Sequence, residues 1–96
     1  MKIYTFNQRI ENLFKSYFSD FQNIKINFQD HEIKIQVNDD DNFDAASLEI
    51  KEDTCLYKIT FWDGYSQLEI IESSNERDAG KNIKRFMKKM IKILNR

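Results

Sequence analysis

The dipeptide Asp63-Gly64 lies between two runs of alternating apolar and polar residues. This arrangement is typical of a β-hairpin, because a two-residue type I′ turn requires positive φ angles that aspartate and glycine tolerate. Such a turn predicts the cross-strand pairs Trp62 with Tyr65, Phe61 with Ser66, Thr60 with Gln67, Ile59 with Leu68, Lys58 with Glu69 and Tyr57 with Ile70. Burial of the face that carries Ile59 and Leu68 would leave Trp62 and Tyr65 on the opposite, mostly polar face.

Composition predicts one domain, residues 1–96, because 41% hydrophobic and 32% charged residues in a chain of 96 suffice for a single modest core. No apolar run approaches the roughly 18 residues of a transmembrane helix. The first eight residues lack the sustained apolar segment of a secretory signal. The single cysteine, Cys55, cannot form an internal disulfide. We therefore expect a cytoplasmic protein without a membrane segment.

Two segments, one near each end of the chain, have the 3.6-residue apolar periodicity of amphipathic helices. Thr5 with Gln8, and Ser73 with Glu76, are spaced to form capping boxes before these helices. Gly80 either weakens the second helix or permits the close approach of another element. The apolar stripes are Phe6, Ile10, Leu13, Phe14, Tyr17, Phe18 and Phe21 in the first helix, and Ala79, Ile83, Phe86, Met87, Met90 and Leu94 in the second.

Between the helices, period-two alternation predicts five antiparallel strands at about 23–29, 32–38, 46–52, 55–62 and 65–72. Turns at Asp30-His31 and Asp53-Thr54 would place Phe28 opposite Ile33 and Ile50 opposite Tyr57. One face would then be apolar, comprising Ile24, Ile26, Phe28, Ile33, Ile35, Val37, Leu48, Ile50, Tyr57, Ile59, Phe61, Leu68 and Ile70. The expected fold is α+β: a five-stranded antiparallel meander with the N- and C-terminal helices packed on one face.

Catalytic and metal-binding motifs are absent from the sequence. His31, the single histidine, has no nucleophile placed beside it, and neither it nor Cys55 has partners for a zinc site. The acidic run Asp39 to Asp44 lacks the glycine and glutamate spacing of an EF-hand loop. We therefore expect a non-enzyme without a catalytic residue, bound metal or cofactor.

Charge is distributed unevenly along the chain. Residues 77–96 contain eight Lys and Arg against one Asp, a net charge of +7, which leaves −8 for residues 1–76 of a chain whose total is −1. A basic helix can neutralise nucleic-acid phosphates or pair with an acidic sheet edge of its own chain. The calculated pI near 5.8 disfavours nucleic acid, as does a basic stripe along the helix that is not interleaved with aromatic residues. The candidate nucleic-acid-binding residues are Lys81, Lys84, Arg85, Lys88 and Lys92.

Protein binding is the function that the remaining residues favour. Trp62 and Tyr65 form an aromatic pair on the predicted polar face, and these residue types are enriched at interface hot spots. The acidic residues around them could steer a cationic partner. The alternative is that the aromatic pair covers an edge strand or contacts a second copy in a homodimer. The predicted partner-binding residues are Trp62, Tyr65, Asp39, Asp40, Asp41, Asp44 and Glu69.

The chain resembles the small immunity proteins of bacterial polymorphic and contact-dependent toxin systems. The resemblance is carried by the aromatic helix Leu13 to Phe18, the antiparallel meander, the hairpin Phe61-Trp62-Asp63-Gly64-Tyr65 and the closing helix. It is a resemblance of layout that spans most of the chain and assigns no individual binding residues. It implies one-to-one binding and inhibition of a cognate toxin domain, by occlusion of its active site with an acidic surface. We expect the partner to be a basic toxin protein, such as a nuclease, and the chain itself to be a monomer or a homodimer.

Overall fold

Five antiparallel strands and two helices make up the fold. The computed structural model describes residues 5–37, 45–54, 56–64 and 67–94. The strands form one sheet in the order β1-β2-β3-β4-β5, so each strand pairs with its neighbour in the chain. This confirms the predicted α+β meander. The elements are α1 (Phe6–Phe18), β1 (Ile24–Gln29), β2 (Glu32–Val37), β3 (Ser47–Asp53), β4 (Leu56–Trp62), β5 (Leu68–Ser73) and α2 (Glu76–Leu94).

Side chains cap both helices, although only one cap is the predicted one. The Thr5 hydroxyl accepts a hydrogen bond from the Gln8 backbone N–H (3.2 Å), and the Gln8 side chain accepts one from the Thr5 N–H (3.0 Å). The capping box predicted for α1 is therefore confirmed. At α2 the cap is Asn75, whose side chain accepts from the backbone N–H of Asp78 at 2.8 Å. The prediction of Ser73 was wrong, because that residue ends β5 and is buried.

The sequence predicted the register of the β1–β2 hairpin correctly and that of the β3–β4 hairpin incorrectly. In β1–β2, Phe28 pairs with Ile33 as predicted, and His31 in the turn has a φ of 59°. In β3–β4, Ile50 pairs with Ile59 rather than Tyr57, a shift of two residues. Asp53 is thus the last residue of β3 rather than part of the turn. Because the shift is even, every side chain of this pair keeps its predicted face.

The hairpin at Asp63-Gly64 differs more, because five residues rather than two separate the end of β4 at Trp62 from the start of β5 at Leu68. Trp62 pairs with Leu68 and Ile59 with Ile71, so the register is shifted by three residues from the prediction. Two hydrogen bonds close the loop: the Asp63 backbone N–H donates to the Gln67 carbonyl (3.2 Å), and the Gln67 backbone N–H donates to the Asp63 carboxylate (3.1 Å). Gly64 has a positive φ of 89°, as expected for glycine in a turn, but the prediction of a two-residue type I′ turn was wrong.

An odd shift moves all the side chains of β5 to the other face of the sheet. Leu68 and Ile70, predicted to lie in the core, are exposed on the face that lacks helices. Ile71 takes the place on the core side, packed against the buried residues. Phe28, at the end of β1, is also more exposed than its predicted core position requires, at 39%.

The core lies between the sheet and both helices, which pack on the same face as predicted. α1 contacts β1 and α2, and α2 crosses β4 and β5. The rings of Phe61 and Phe86 stack with centroids 5.1 Å apart and tie α2 to β4. Burial of these side chains supplies the hydrophobic free energy of the fold. The core residues with no exposed surface are Ile35, Leu48, Ile59, Ala79, Ile83, Phe86, Met87 and Met90.

Candidate functional site

The face of the sheet opposite the helices, here called the open face, is the first candidate for binding. Its side chains follow from the register: residues 58, 60 and 62 of β4 lie beside 72, 70 and 68 of β5. Neither α1 nor α2 covers this face, because both contact the other side of the sheet. An antiparallel sheet tolerates one solvated face if that face is polar. Apolar residues on the open face are therefore informative.

Three large apolar side chains, Trp62, Leu68 and Ile70, lie together on the open face at its β5 edge. We call them the open-face patch. Leu68 and Ile70 are 57% and 52% exposed, and Trp62, directly opposite Leu68, is half-buried. The position of Trp62 on this face was predicted, whereas the other two residues were assigned to the core. The patch is thus a larger apolar surface than the sequence indicated.

Charged and polar side chains occupy most of the open face beyond the patch, and the exposed apolar residue described there is Leu56, at the other end of β4 and 41% exposed. Lys34 on β2 pairs with Glu49 on β3, with Nζ and Oε1 3.5 Å apart. Lys58 lies opposite Glu72 in the register, not opposite Glu69 as predicted. Opposite charges placed side by side across strands stabilise the sheet and neutralise one another. These two pairs of opposite charge therefore need no ligand, in contrast to the patch.

The β5 edge adds backbone groups to the patch. β5 is the last strand of the sheet and pairs only with β4 among the described elements. Edge strands present N–H and C=O groups that can bind another strand. Leu68 and Ile70 lie on this strand, so a partner could contact their side chains and the strand backbone together.

Four of the predicted aspartates, Asp39, Asp40, Asp41 and Asp44, and the aromatic Tyr65 lie outside the described residues. The segment that carries the aspartates leaves the sheet after Val37 and returns before Ala46, and these two residues share a backbone hydrogen bond of 3.1 Å. A Cβ on Gly64 would meet the Ala46 nitrogen at 3.1 Å. The ends of the acidic segment are therefore anchored at the same end of the sheet as Trp62.

Glu69 is the one described partner-binding candidate that the structure separates from Trp62. It lies opposite Phe61, on the face that the helices cover, and its carboxylate is 2.6 Å from Lys89 Nζ on α2. Its side chain is 36% exposed. Glu69 thus ties α2 to the sheet edge, and its predicted place on the polar face opposite Lys58 was wrong. This contact is the intramolecular pairing of basic helix and acidic sheet that the charge distribution allowed.

The alternative, nucleic-acid-binding residues all lie on α2. Each is exposed, on the side of the helix away from the buried stripe. The Arg85 guanidinium lies 5.0 Å from the centre of the Phe86 ring, a cation–π contact. The five side chains that the structure brings together in this way are Lys81, Lys84, Arg85, Lys88 and Lys92.

Features typical of a catalytic or metal centre are not found among the described residues. No group of three or more His, Asp or Glu side chains there is close enough to hold a metal ion. The pKa of Tyr57 is raised by burial, with smaller contributions from the charges of Glu52 and Glu76. This tyrosine packs against Phe6 beneath α1, with ring centroids 4.8 Å apart, which makes it part of the core boundary.

Comparisons with known proteins do not assign the chain to a family. Neither helix in the described ranges combines the length and apolar character that crossing a bilayer requires. No protein-family model, curated protein or solved structure matches this chain.

Proposed function

We propose that this chain is a non-enzymatic protein-binding module whose partner docks on the open-face patch. The observation that carries the proposal is the exposure of Leu68 and Ile70, 57% and 52%, directly beside Trp62. Tryptophan is among the residue types enriched at interface hot spots, and contiguous exposed apolar side chains mark interaction surfaces. The surrounding open face is charged, which is the polar rim that such a site requires.

The two aliphatic side chains of the patch, Leu68 and Ile70, are too small to hold a partner without further contacts. Burial of a fully exposed aliphatic side chain contributes about 1.5–3 kcal/mol, so two half-exposed side chains offer only about 2–3 kcal/mol together. Association costs more than that in lost translational and rotational freedom. The proposed partner must therefore also use Trp62, the β5 backbone or the acidic segment anchored nearby.

The finer form of the proposal is that the partner is a toxin domain and the chain is its immunity protein. Support comes from the layout of helix, five-stranded meander and helix, and from the acidic segment, whose two ends lie at the same end of the sheet as Trp62. Four aspartates there would attract a basic partner such as a nuclease at long range. The proposed chemistry is inhibition by occlusion, with no covalent step.

Co-expression tests the immunity role. The candidate toxin is the product of the reading frame immediately upstream, expressed in a host with and without this chain. The wild-type chain should restore growth. Trp62→Ala, or reversal of Asp39, Asp40 and Asp41 to Lys, should restore it less while the purified variants keep the wild-type circular dichroism. Equal rescue by both variants, or an upstream product without toxicity, would contradict the immunity role.

Nucleic-acid binding is a second candidate, favoured by the exposure of all five cations on α2. Phosphate contacts make such binding strongly dependent on salt. Substitution of Lys84, Lys88 and Lys92 by Gln should then weaken DNA or RNA binding and reduce its salt dependence. A gel shift with no complex at low salt would exclude this candidate.

Self-association through the β5 edge is the remaining alternative for the patch. A homodimer would show a molecular mass in solution that rises with concentration. Ile70→Lys should lower that mass, because charged side chains on an edge strand oppose pairing between copies. A monomeric mass at all concentrations would leave a different protein as the partner.

A further inference from the structure

A groove lies between α1 and α2 on the helix-covered side of the molecule, away from the open-face patch. Its volume is about 400 Å³, within the range of small binding clefts. Phe6, Ile10 and Leu13 of α1 line it on one side, and Gly80 of α2 lines it on the other. We call this the interhelical groove. The proposed function above does not use it.

The walls of the interhelical groove are apolar and leave space at one position. Phe6 and Leu13 are partly buried against the core, so their exposed surfaces face the groove. A Cβ built on Gly80 meets no atom within 4 Å. No other element of the described ranges therefore approaches Gly80 closely. Of the two interpretations of Gly80 from the sequence, the close approach of another element is wrong. The absence of a side chain there keeps the groove open.

The rim of the interhelical groove is cationic. Arg9, Arg77, Lys81 and Lys84 line it, with Glu76 as the acidic member. Glu76 is close to Arg9, with Oε1 and Nη1 3.9 Å apart. The other three cations form no ion pair within the described ranges. An apolar groove whose rim holds three cations without a carboxylate partner complements a ligand that is apolar and acidic together.

We propose that the interhelical groove binds an acidic peptide segment that carries one or two large apolar side chains. Arg77, Lys81 and Lys84 span about 10 Å along α2, from the rise of 1.5 Å per residue. One carboxylate cannot contact all three, whereas acidic residues spaced along a peptide can. A nucleic acid could contact the same cations, but it would leave the apolar walls of the groove uncovered. The mode is that of an amphipathic segment in a groove.

Selection from a random peptide library displayed on phage tests this proposal without assuming a partner. We expect the selected peptides to be enriched in Asp and Glu around Leu, Phe or Trp. Gly80→Leu should weaken their binding about tenfold or more, because the new side chain occupies the space that the apolar residue of the peptide needs. Leucine also has a higher helix propensity than glycine, so this variant should be at least as stable as the wild type.

Charge reversal provides a matched control on the same helix. Lys81→Glu with Lys84→Glu changes the groove rim, whereas Lys88→Glu with Lys92→Glu makes the same change in net charge at residues that do not line the groove. We expect about a tenfold loss of peptide binding from the first pair and less than a twofold change from the second.

Three results would overturn the proposal. The selected peptides would lack acidic residues, or Gly80→Leu would bind them as tightly as the wild type, or both reversal pairs would weaken binding equally. Binding of an oligonucleotide that ignores Gly80→Leu would instead assign the α2 cations to nucleic acid. Self-association abolished by Gly80→Leu would identify a second copy as the occupant.

Discussion

At the scale of single residues, the two glycines of the chain lie in opposite environments. Gly64 has a φ of 89° and lies against the Ala46 backbone, whereas Gly80 is helical and faces open space. Gly64→Ala should therefore lower the free energy of unfolding by roughly 1–3 kcal/mol. Gly80→Ala should raise it by up to about 1 kcal/mol. Denaturant unfolding of the two variants measures both values, and changes of the same sign would contradict these placements.

Tyr57 should make stability depend on alkaline pH. Its pKa is raised above the ordinary value near 10, so the fold favours the neutral phenol. The stabilisation is fully present below pH 10 and is lost as the pH rises through the raised pKa. Tyr57→Phe lacks this ionisation and shares the lysine titrations of the wild type. The stability of the wild type relative to this variant should therefore be constant up to about pH 9 and decrease above pH 10. A constant difference across this range would show that Tyr57 does not couple ionisation to folding.

At the scale of elements, the sequence predicted which strands and helices form and how they are ordered. Alternation and helical periodicity were sufficient for this, because each apolar set had one face on which to be buried. The registers depended on turns, and a turn signal in the sequence does not determine how many residues the loop contains. The Asp30-His31 turn was right, whereas Asp53-Thr54 was displaced and Asp63-Gly64 proved to be part of a longer loop.

The pattern of β5 explains why its faces were assigned wrongly. Ile70 and Ile71 are consecutive, so either face of the strand presents apolar residues and alternation does not choose between them. The number of residues between β4 and β5 therefore determines which face each side chain of β5 occupies. That number is five, whereas the Asp-Gly signal predicts two. For this reason the sequence placed Trp62 on the open face correctly and missed Leu68 and Ile70. The interhelical groove was missed because it requires the packing of two helices distant in sequence.

Aspartate substitutions in β5 test this register directly. Ile70→Asp should change the free energy of unfolding little, because its side chain is already exposed on the open face. Ile71→Asp should lower it by about 2 kcal/mol or more, because it places a carboxylate against the buried residues. Thermal or denaturant unfolding of the two neighbours measures the contrast. A larger loss from Ile70→Asp would support the register of the two-residue turn instead.

At the scale of the whole molecule, the sheet separates two surfaces of different character. The open face carries the apolar patch beside the ends of the acidic segment, and the helix layer carries a cationic groove. The net charge of the whole chain, −1, does not indicate that acidic and basic residues lie on different surfaces. Each surface favours its own kind of partner, and substitutions on one should leave binding at the other unchanged because the surfaces share no residues.

The central claim is that the open-face patch binds a protein. Calorimetric titration with the proposed partner, the product of the reading frame immediately upstream, tests it most directly. Leu68→Asp with Ile70→Asp should weaken binding about a hundredfold, because the patch loses its apolar surface. Asn27→Asp with Gln36→Asp adds the same charge to the same face near the β1 edge and should change the affinity by less than about threefold. Equal affinity of the wild type and the Leu68, Ile70 variant would contradict the claim.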